Sequence, residues 1–235
     1  MEISPDSIII YAREPIVLNA TLLFTWLTMG LLVGVSGWVT RQLSVRPRLP
    51  AWQNLLEMIV EGIYNQIRDI TQQDPELYLS FVGTLFLFIV TSNLLTVVPG
   101  YHAPTGSLST TAALALCVFF AVPIFGIRQQ GLGRYLKSYL EPTPIMLPFQ
   151  IIGEFSRTLA LAMRLFGNIM SGNLLAAILL SLVPLFVPVV MHILGLVFGV
   201  IQAYVFSVLA LVYIASASSV QQHNHHVSTQ ENNYE

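Results

Sequence analysis

The chain has 235 residues, of which 54% are hydrophobic and only 9% are charged, with a formal net charge of −2 and a mean hydropathy of +0.70. Soluble domains carry about 25% charged residues, so this composition predicts an integral membrane protein. The single cysteine, Cys117, excludes an internal disulfide and a cysteine-based metal site. No basic tract is present that would bind nucleic acid, and the first 15 residues have no basic start, so we expect no cleavable signal peptide.

The chain reads as one all-α membrane domain, 1–235, with five transmembrane segments and one amphipathic interfacial helix. In the segment at 51–71, Ile59, Ile63 and Ile67 recur at helical spacing among charged residues, which is typical of a helix lying on the membrane surface. The predicted elements, in chain order, are an external N-terminus at 1–15, spans at 16–40, 77–98, 108–127, 149–183 and 188–219, and a polar tail at 220–235.

The last two spans are unusually long. The segment at 149–183 has no proline and would form a helix of roughly 50 Å, whereas the hydrocarbon core is only about 30 Å thick. Few charges occur at the ends of these spans, so we expect both helices to tilt strongly, as a hairpin joined at 184–188.

Basic residues follow the first and third spans, and none follows the second or fourth. Lys and Arg mark cytoplasmic loops. The N-terminus is therefore predicted outside and the C-terminus in the cytoplasm.

Arg164 lies in the middle of an apolar run, where a charge costs about 3 kcal/mol on insertion scales. At 100° per residue it shares one helix face with Glu154, Arg157, Asn168 and Ser171. Glu154 is ten residues away, about 15 Å along the axis, which is too far for an ion pair. We therefore expect the counter-charge of Arg164 to belong to another chain.

The motif around this arginine resembles a known family. Residues 163–172 read Met-Arg-Leu-Phe-Gly-Asn-Ile-Met-Ser-Gly, and residues 201–206 read Ile-Gln-Ala-Tyr-Val-Phe. With Ser-Asn-Leu-Leu at 92–95 before Pro99-Gly100, they resemble subunit a of the rotary F-type ATP synthase in its bacterial and chloroplast form.

The resemblance implies a non-catalytic stator subunit without a cofactor, which forms two ion half-channels against a ring of c subunits. Arg164 would be the stator charge, Gln202 would hold its geometry, and Asn168 would line the same contact. The implied partners are the c-ring, b-type peripheral stalk subunits and the rest of the complex. The implied location is an energy-coupling membrane, the bacterial plasma (inner) membrane.

The chain departs from the family pattern at two positions. Asn173 stands where many members carry a glutamate, and Gly195 stands where some bacterial members carry a histidine. His192, one turn before Gly195, is a candidate to serve an access channel in its place, and a structural role is the alternative. Glu154 is a candidate to line the cytoplasmic half-channel. The proton is the default coupled ion; Na⁺ is the alternative, with oxygen ligands such as Asn173, Ser171 and Ser181.

Two other classes compete with this interpretation. A stand-alone secondary transporter or channel predicts inverted repeats and broken helices at mid-bilayer, and the sequence has neither. An intramembrane metalloenzyme would have to use His223, His225 and His226, which lie in the polar tail without a nearby carboxylate. We expect no metal site there.

Overall fold

The computed structural model describes residues 9–13, 16–41, 51–71, 74–98, 100–133, 135, 146–182 and 187–231. Within these ranges the chain is almost entirely helical, and a short antiparallel pair of strands, β1 (Ile9–Arg13) and β2 (Ile16–Asn19), precedes the first helix. The long helices are α1 (Ala20–Arg41), α2 (Ala51–Thr71), α3 (Glu76–Leu94), α4 (Leu108–Gln130), α5 (Met146–Leu182) and α6 (Val187–Glu231).

Five of these helices are long and apolar enough to cross a membrane, which confirms the predicted fold class. The candidate spans are Thr21–Val39, Glu76–Val97, Leu108–Gln130, Leu147–Ser181 and Val189–Ala217. The remaining helix, α2, is amphipathic: Ile67 is buried against the bundle, while Glu57, Glu61 and Arg68 are exposed. Its position at the membrane surface and the strong tilt of the last two spans stay predictions.

Several helix ends differ from the predicted ones, and proline and glycine placement explains most of the difference. Helix α5 begins at Met146, before Pro148, because proline is tolerated in the first turn of a helix. Helix α6 continues to Glu231 instead of ending near 219, and no proline or glycine follows Gly199 to stop it. The strands β1 and β2 were not predicted. Residues 42–50, between the first span and α2, lie outside the described residues, as do residues 184–186 of the predicted connection at 184–188. The last two residues of that connection belong to α6.

Helix α6 lies at the centre of the packing, because it contacts α2, α3, α4 and α5. One core cluster joins α3, α4, α5 and α6 through fully buried residues such as Ile89, Leu165 and Phe206. A second cluster, which includes Ile67, Tyr78 and Ile214, joins α2, α3, α4 and α6. The core therefore holds α5 around residues 161–165 and α6 around residues 203–214 against the other helices.

The connection between α3 and α4 is buried, although it is not a long helix. Residues 103–107 are each no more than 9% exposed and include a short 3₁₀ turn, Pro104–Gly106. The Tyr101 hydroxyl lies 2.8 Å from the Thr28 hydroxyl of α1. We call residues 101–107 the outer loop. Irregular backbone at membrane depth is tolerated only where protein or a water-filled space satisfies it.

Two amide side chains at the C-terminal end of α4 form hydrogen bonds to α3 and α6. Gln129 donates to the Tyr78 hydroxyl of α3 at 2.6 Å, and Gln130 donates to the Ala217 carbonyl of α6 at 2.9 Å. Just beyond α4, the ring of Tyr135 lies directly on Gly126, where an added Cβ would come within 2.5 Å of it.

Candidate ion-translocation site

Arg164 lies on the outward face of α5. The inward-facing residues around it, Leu161, Ala162 and Leu165, are at most 5% exposed, whereas Arg164 is exposed. In the described part of the chain its guanidinium forms no hydrogen bond and no ion pair. A permanent charge on the flank of an apolar helix is costly against hydrocarbon. This face therefore requires a wet or acidic neighbour.

Arg157 lies two turns before Arg164 on the same exposed side of α5, and its surroundings differ. Its guanidinium carbon lies 5.5 Å from the centroid of the Tyr213 ring of α6, which is cation–π geometry. Arg157 thus has an aromatic neighbour within the chain, and Arg164 does not.

Three polar residues follow Arg164 within the next nine positions of α5. Asn168 is half-buried, and its backbone carbonyl accepts a hydrogen bond from the Ser171 hydroxyl at 3.1 Å. Ser171 and Asn173 are both exposed. The helical periodicity that predicted a shared face for Arg164 and Ser171 agrees with this pattern of exposure.

Gln202 is buried in α6, with 8% of its surface exposed. Its Nε2 group is buried and has no hydrogen-bond partner among the described residues. The structure does not join Gln202 to Arg164 by a hydrogen bond in these ranges. A buried amide without a partner is uncommon in a native structure, so Gln202 is available to water or to a group that approaches it.

Glu154 and Arg157 line a cavity of about 410 Å³ between α4, α5 and α6. Its lining combines apolar residues of α4, such as Phe119, with polar ones, and the buried Gln150 Oε1 atom lacks a hydrogen-bond partner in the described residues. Orphaned buried acceptors of this kind commonly bind water. On the predicted orientation this cavity lies toward the cytoplasm.

His192 is exposed near the start of α6, ten residues from Gln202 and so about 15 Å along the helix axis. Gly195 beside it is exposed as well. Across the described residues, no group of three histidine, cysteine or acidic side chains is placed to hold a metal ion. The side chains of His223, His225 and His226 lie outside those that the structure describes.

The sequence reasoning missed a polar cluster on the predicted outer side of the bundle. Asn93 donates from Nδ2 to the Gly199 carbonyl at 3.2 Å, and Thr105 of the outer loop donates to Asn93 Oδ1 at 3.4 Å. Ser92 beside it is fully buried, and its hydroxyl has no hydrogen-bond partner in the described ranges. The available signal was the polar pair Ser92-Asn93 inside an otherwise apolar span.

Among the described residues, the membrane helices carry an arginine without an ion pair and a buried amide, which is typical of an ion-translocating membrane subunit. A family model described as ATP synthase A chain matches residues 22–215. The chain is 72% identical over 232 residues to "ATP synthase subunit a 2" of Picosynechococcus sp., which covers 99% of this chain and 100% of that protein. It is 59% identical over 229 residues to "ATP synthase subunit a 1" of Crocosphaera subtropica, an alignment that covers 96% of this chain and 100% of that protein. It is 58% identical over 218 residues to "ATP synthase subunit a" of Albidiferax ferrireducens, which covers 93% of this chain and 94% of that protein.

The chain therefore belongs to the ATP synthase subunit a family. It is a multi-pass integral membrane protein of the stator in the membrane sector of an F-type ATP synthase, and its partners are the other subunits of that complex.

Proposed function

We propose that this chain forms two ion half-channels against a ring of c subunits and couples ion flow to rotation, in ATP synthesis or in ATP-driven pumping. The observation that carries the proposal is the exposed guanidinium of Arg164, which lies on the flank of a 37-residue apolar helix and has no hydrogen bond or ion pair among the described residues. A ring that presents acidic groups to this face would supply the missing counter-charge.

The fixed charge of Arg164 explains how rotation and ion release are coupled. Arginine stays protonated in proteins, so a ring carboxyl group must be ionised as it passes. The attraction lowers the pKa of that carboxyl group and releases its ion into one half-channel. The same charge blocks a direct leak between the two half-channels. Each elementary charge that crosses 100 mV delivers about 2.3 kcal/mol, so several crossings are needed for each ATP.

Two polar regions of the structure support two separate half-channels. The cavity beside Glu154 suits the cytoplasmic half-channel because it combines a carboxylate with an orphaned amide oxygen. The cluster of Ser92, Asn93 and Thr105 suits the outer half-channel because these groups are polar and buried among spans. His192 would lie at the outer entrance.

Hydroxyl and amide groups neither gain nor lose a proton near neutral pH, so we infer that water conducts protons through the outer region. Na⁺ is the alternative ion, with Asn173, Ser171 and Ser181 as oxygen ligands. All three are exposed. The complex would lie in the bacterial plasma membrane, with b-type stalk subunits beside this chain and with the C-terminus in the cytoplasm.

The substitution Arg164→Ala tests the proposal. We expect ATP-driven ion uptake into vesicles to fall to background while ATP hydrolysis continues, because the ring loses the charge that forces release. Uptake and hydrolysis are measured on the same purified complexes.

Arg128→Ala is the control, since it removes an exposed arginine from the last turn of α4. We expect it to retain most of the uptake, because its charge lies at a helix end and not in the middle of an apolar helix. Normal pumping by the Arg164→Ala complex would refute the proposal.

A further inference from the structure

Helices α3 and α6 are in close contact at Asn93 and Gly199. A Cβ atom added to Gly199 would lie 2.8 Å from the Cβ atom of Asn93, which no ordinary side chain tolerates. Glycine at 199 therefore lets α6 approach α3 at this depth. The close approach also brings the Asn93 amide within 3.2 Å of the Gly199 carbonyl.

The outer loop completes this contact. The Thr105 hydroxyl donates to Asn93 Oδ1, so both ends of one buried amide are engaged, one by α6 and the other by the loop. Thr105 is fully buried and Asn93 is 5% exposed. Removing the Asn93 side chain would leave the Thr105 hydroxyl buried without its acceptor.

The same loop also packs on α5. An added Cβ at Gly106 would lie 3.2 Å from Ile169, five residues beyond Arg164. The outer loop thus touches α5 directly and engages α6 through Asn93. It bridges the two helices that carry Arg164 and Gln202.

Gly199 precedes Gln202 by three residues, about 4.5 Å along the helix. A shift or rotation of α6 at Gly199 is therefore transmitted directly to Gln202. We propose that Asn93 is a positioning residue that fixes the depth and rotation of α6, and so places Gln202 for Arg164 and the passing ring. This inference rests on the proposed function, in which Gln202 holds the geometry of the arginine.

A double-mutant cycle in the intact complex tests the inference. The variants are Asn93→Ala, Gln202→Ala and the pair, and the measurement is ATP-driven ion uptake per assembled complex. A misplacement of about 1 Å can cost on the order of 100-fold in rate, so we expect Asn93→Ala to reduce uptake at least about tenfold. The pair should be no worse than Gln202→Ala alone, since residues that act through one another are not additive.

Gln130→Ala is the matched control. Gln130 also donates a buried amide hydrogen bond to a carbonyl of α6, but at Ala217, about 22 Å along the helix from Gln202. Uptake per assembled complex should be nearly unchanged in this variant. Asn93→Asp keeps the side-chain volume but removes the N–H donor, so it separates the loss of the hydrogen bond from the loss of packing. It should reduce uptake as Asn93→Ala does.

Two results would overturn the inference. One is an additive effect of Asn93→Ala and Gln202→Ala when each alone is impaired, which would separate Asn93 from Gln202 and leave the proposed function standing. The other is an equal loss of uptake in Gln130→Ala, which would reduce Asn93 to general helix packing. A silent Gln202→Ala would instead remove the role of Gln202 in the proposed function, and the positioning role with it.

Discussion

Arg157 and Arg164 lie on the same side of α5, yet their environments differ. Arg157 lies over an aromatic ring of α6, whereas Arg164 has no hydrogen bond or ion pair in the described part of the chain. Helical periodicity in the sequence predicted their shared face, because face is a local property of a helix. It did not predict the Tyr213 contact, because 56 residues separate Tyr213 from Arg157 along the chain.

The two departures from the family pattern, at Asn173 and Gly195, are changes of single side chains. Asn173 and Gly195 are both exposed and carry no titratable group, so a relay through either position would need water. The absence of a titratable side chain at these two positions is visible in the sequence itself. The structure adds that Gln202 is buried and that its Nε2 group has no hydrogen-bond partner among the described residues, which depends on packing and not on residue type.

We expect His192 to compensate for the missing titratable groups at positions 173 and 195. His192→Ala should slow ATP-driven ion uptake several-fold, because it removes the polar group that we place at the outer entrance. His102→Ala is the control, since His102 is also exposed but belongs to the outer loop beside Phe24. Equal uptake in the wild-type and His192→Ala complexes would return His192 to a structural role.

Among the elements, the outer loop is the one that sequence reasoning described least well. Proline and glycine at 99–100 predicted a turn, and the absence of Lys and Arg predicted an external position. Burial of residues 103–107 depends instead on contacts with α1, α3, α4 and α5, which no local pattern encodes. The spans themselves were predictable because each apolar helix satisfies its backbone hydrogen bonds within its own segment.

Tyr101 anchors the start of this loop, and its chemistry gives a pH dependence. Burial raises the pKa of the Tyr101 phenol above its ordinary value of 10.0, and the hydrogen bond with the Thr28 hydroxyl, at 2.8 Å, partly offsets that rise. Above pH 10.0 the unfolded chain therefore loses this proton before the folded chain does. The unfolded state then binds fewer protons, so stability should decrease as the pH rises beyond that value.

Tyr101→Phe should remove this alkaline loss of stability. It should also cost about 1 kcal/mol at neutral pH, because the Thr28 hydrogen bond is lost. The measurement is the temperature at which subunit a leaves the complex, at neutral and at alkaline pH. Tyr204→Phe is the control, because Tyr204 is 46% exposed; an unchanged alkaline slope in Tyr101→Phe would contradict the assignment.

At the scale of the whole molecule, five spans and one amphipathic helix were predicted from hydropathy and confirmed. The order of packing was not predicted. Helix α6 contacts four other long helices, and this central position depends on glycines and small residues such as Gly199, Ala203 and Ala210. Small residues allow close helix approach in membranes, but many positions offer them, so the sequence does not single out the neighbours.

The coupled ion is a property of the assembled complex. We expect a protonophore to abolish all gradient formation during ATP hydrolysis in vesicles, with or without Na⁺, because wet cavities suffice to conduct protons. Uptake of Na⁺ and acidification are followed in parallel. Stimulation of Na⁺ uptake by the protonophore would show that Na⁺ is the primary ion.

The ring of Tyr135 rests on Gly126 and also forms a wall of the chamber that holds Glu154. Any larger residue at 126 would push this aromatic wall aside, since even one added carbon meets the ring at 2.5 Å. Gly126, which bears no side chain and no charge, thus sets how closely Tyr135 packs, and with it the width of the cavity through which water would reach Glu154.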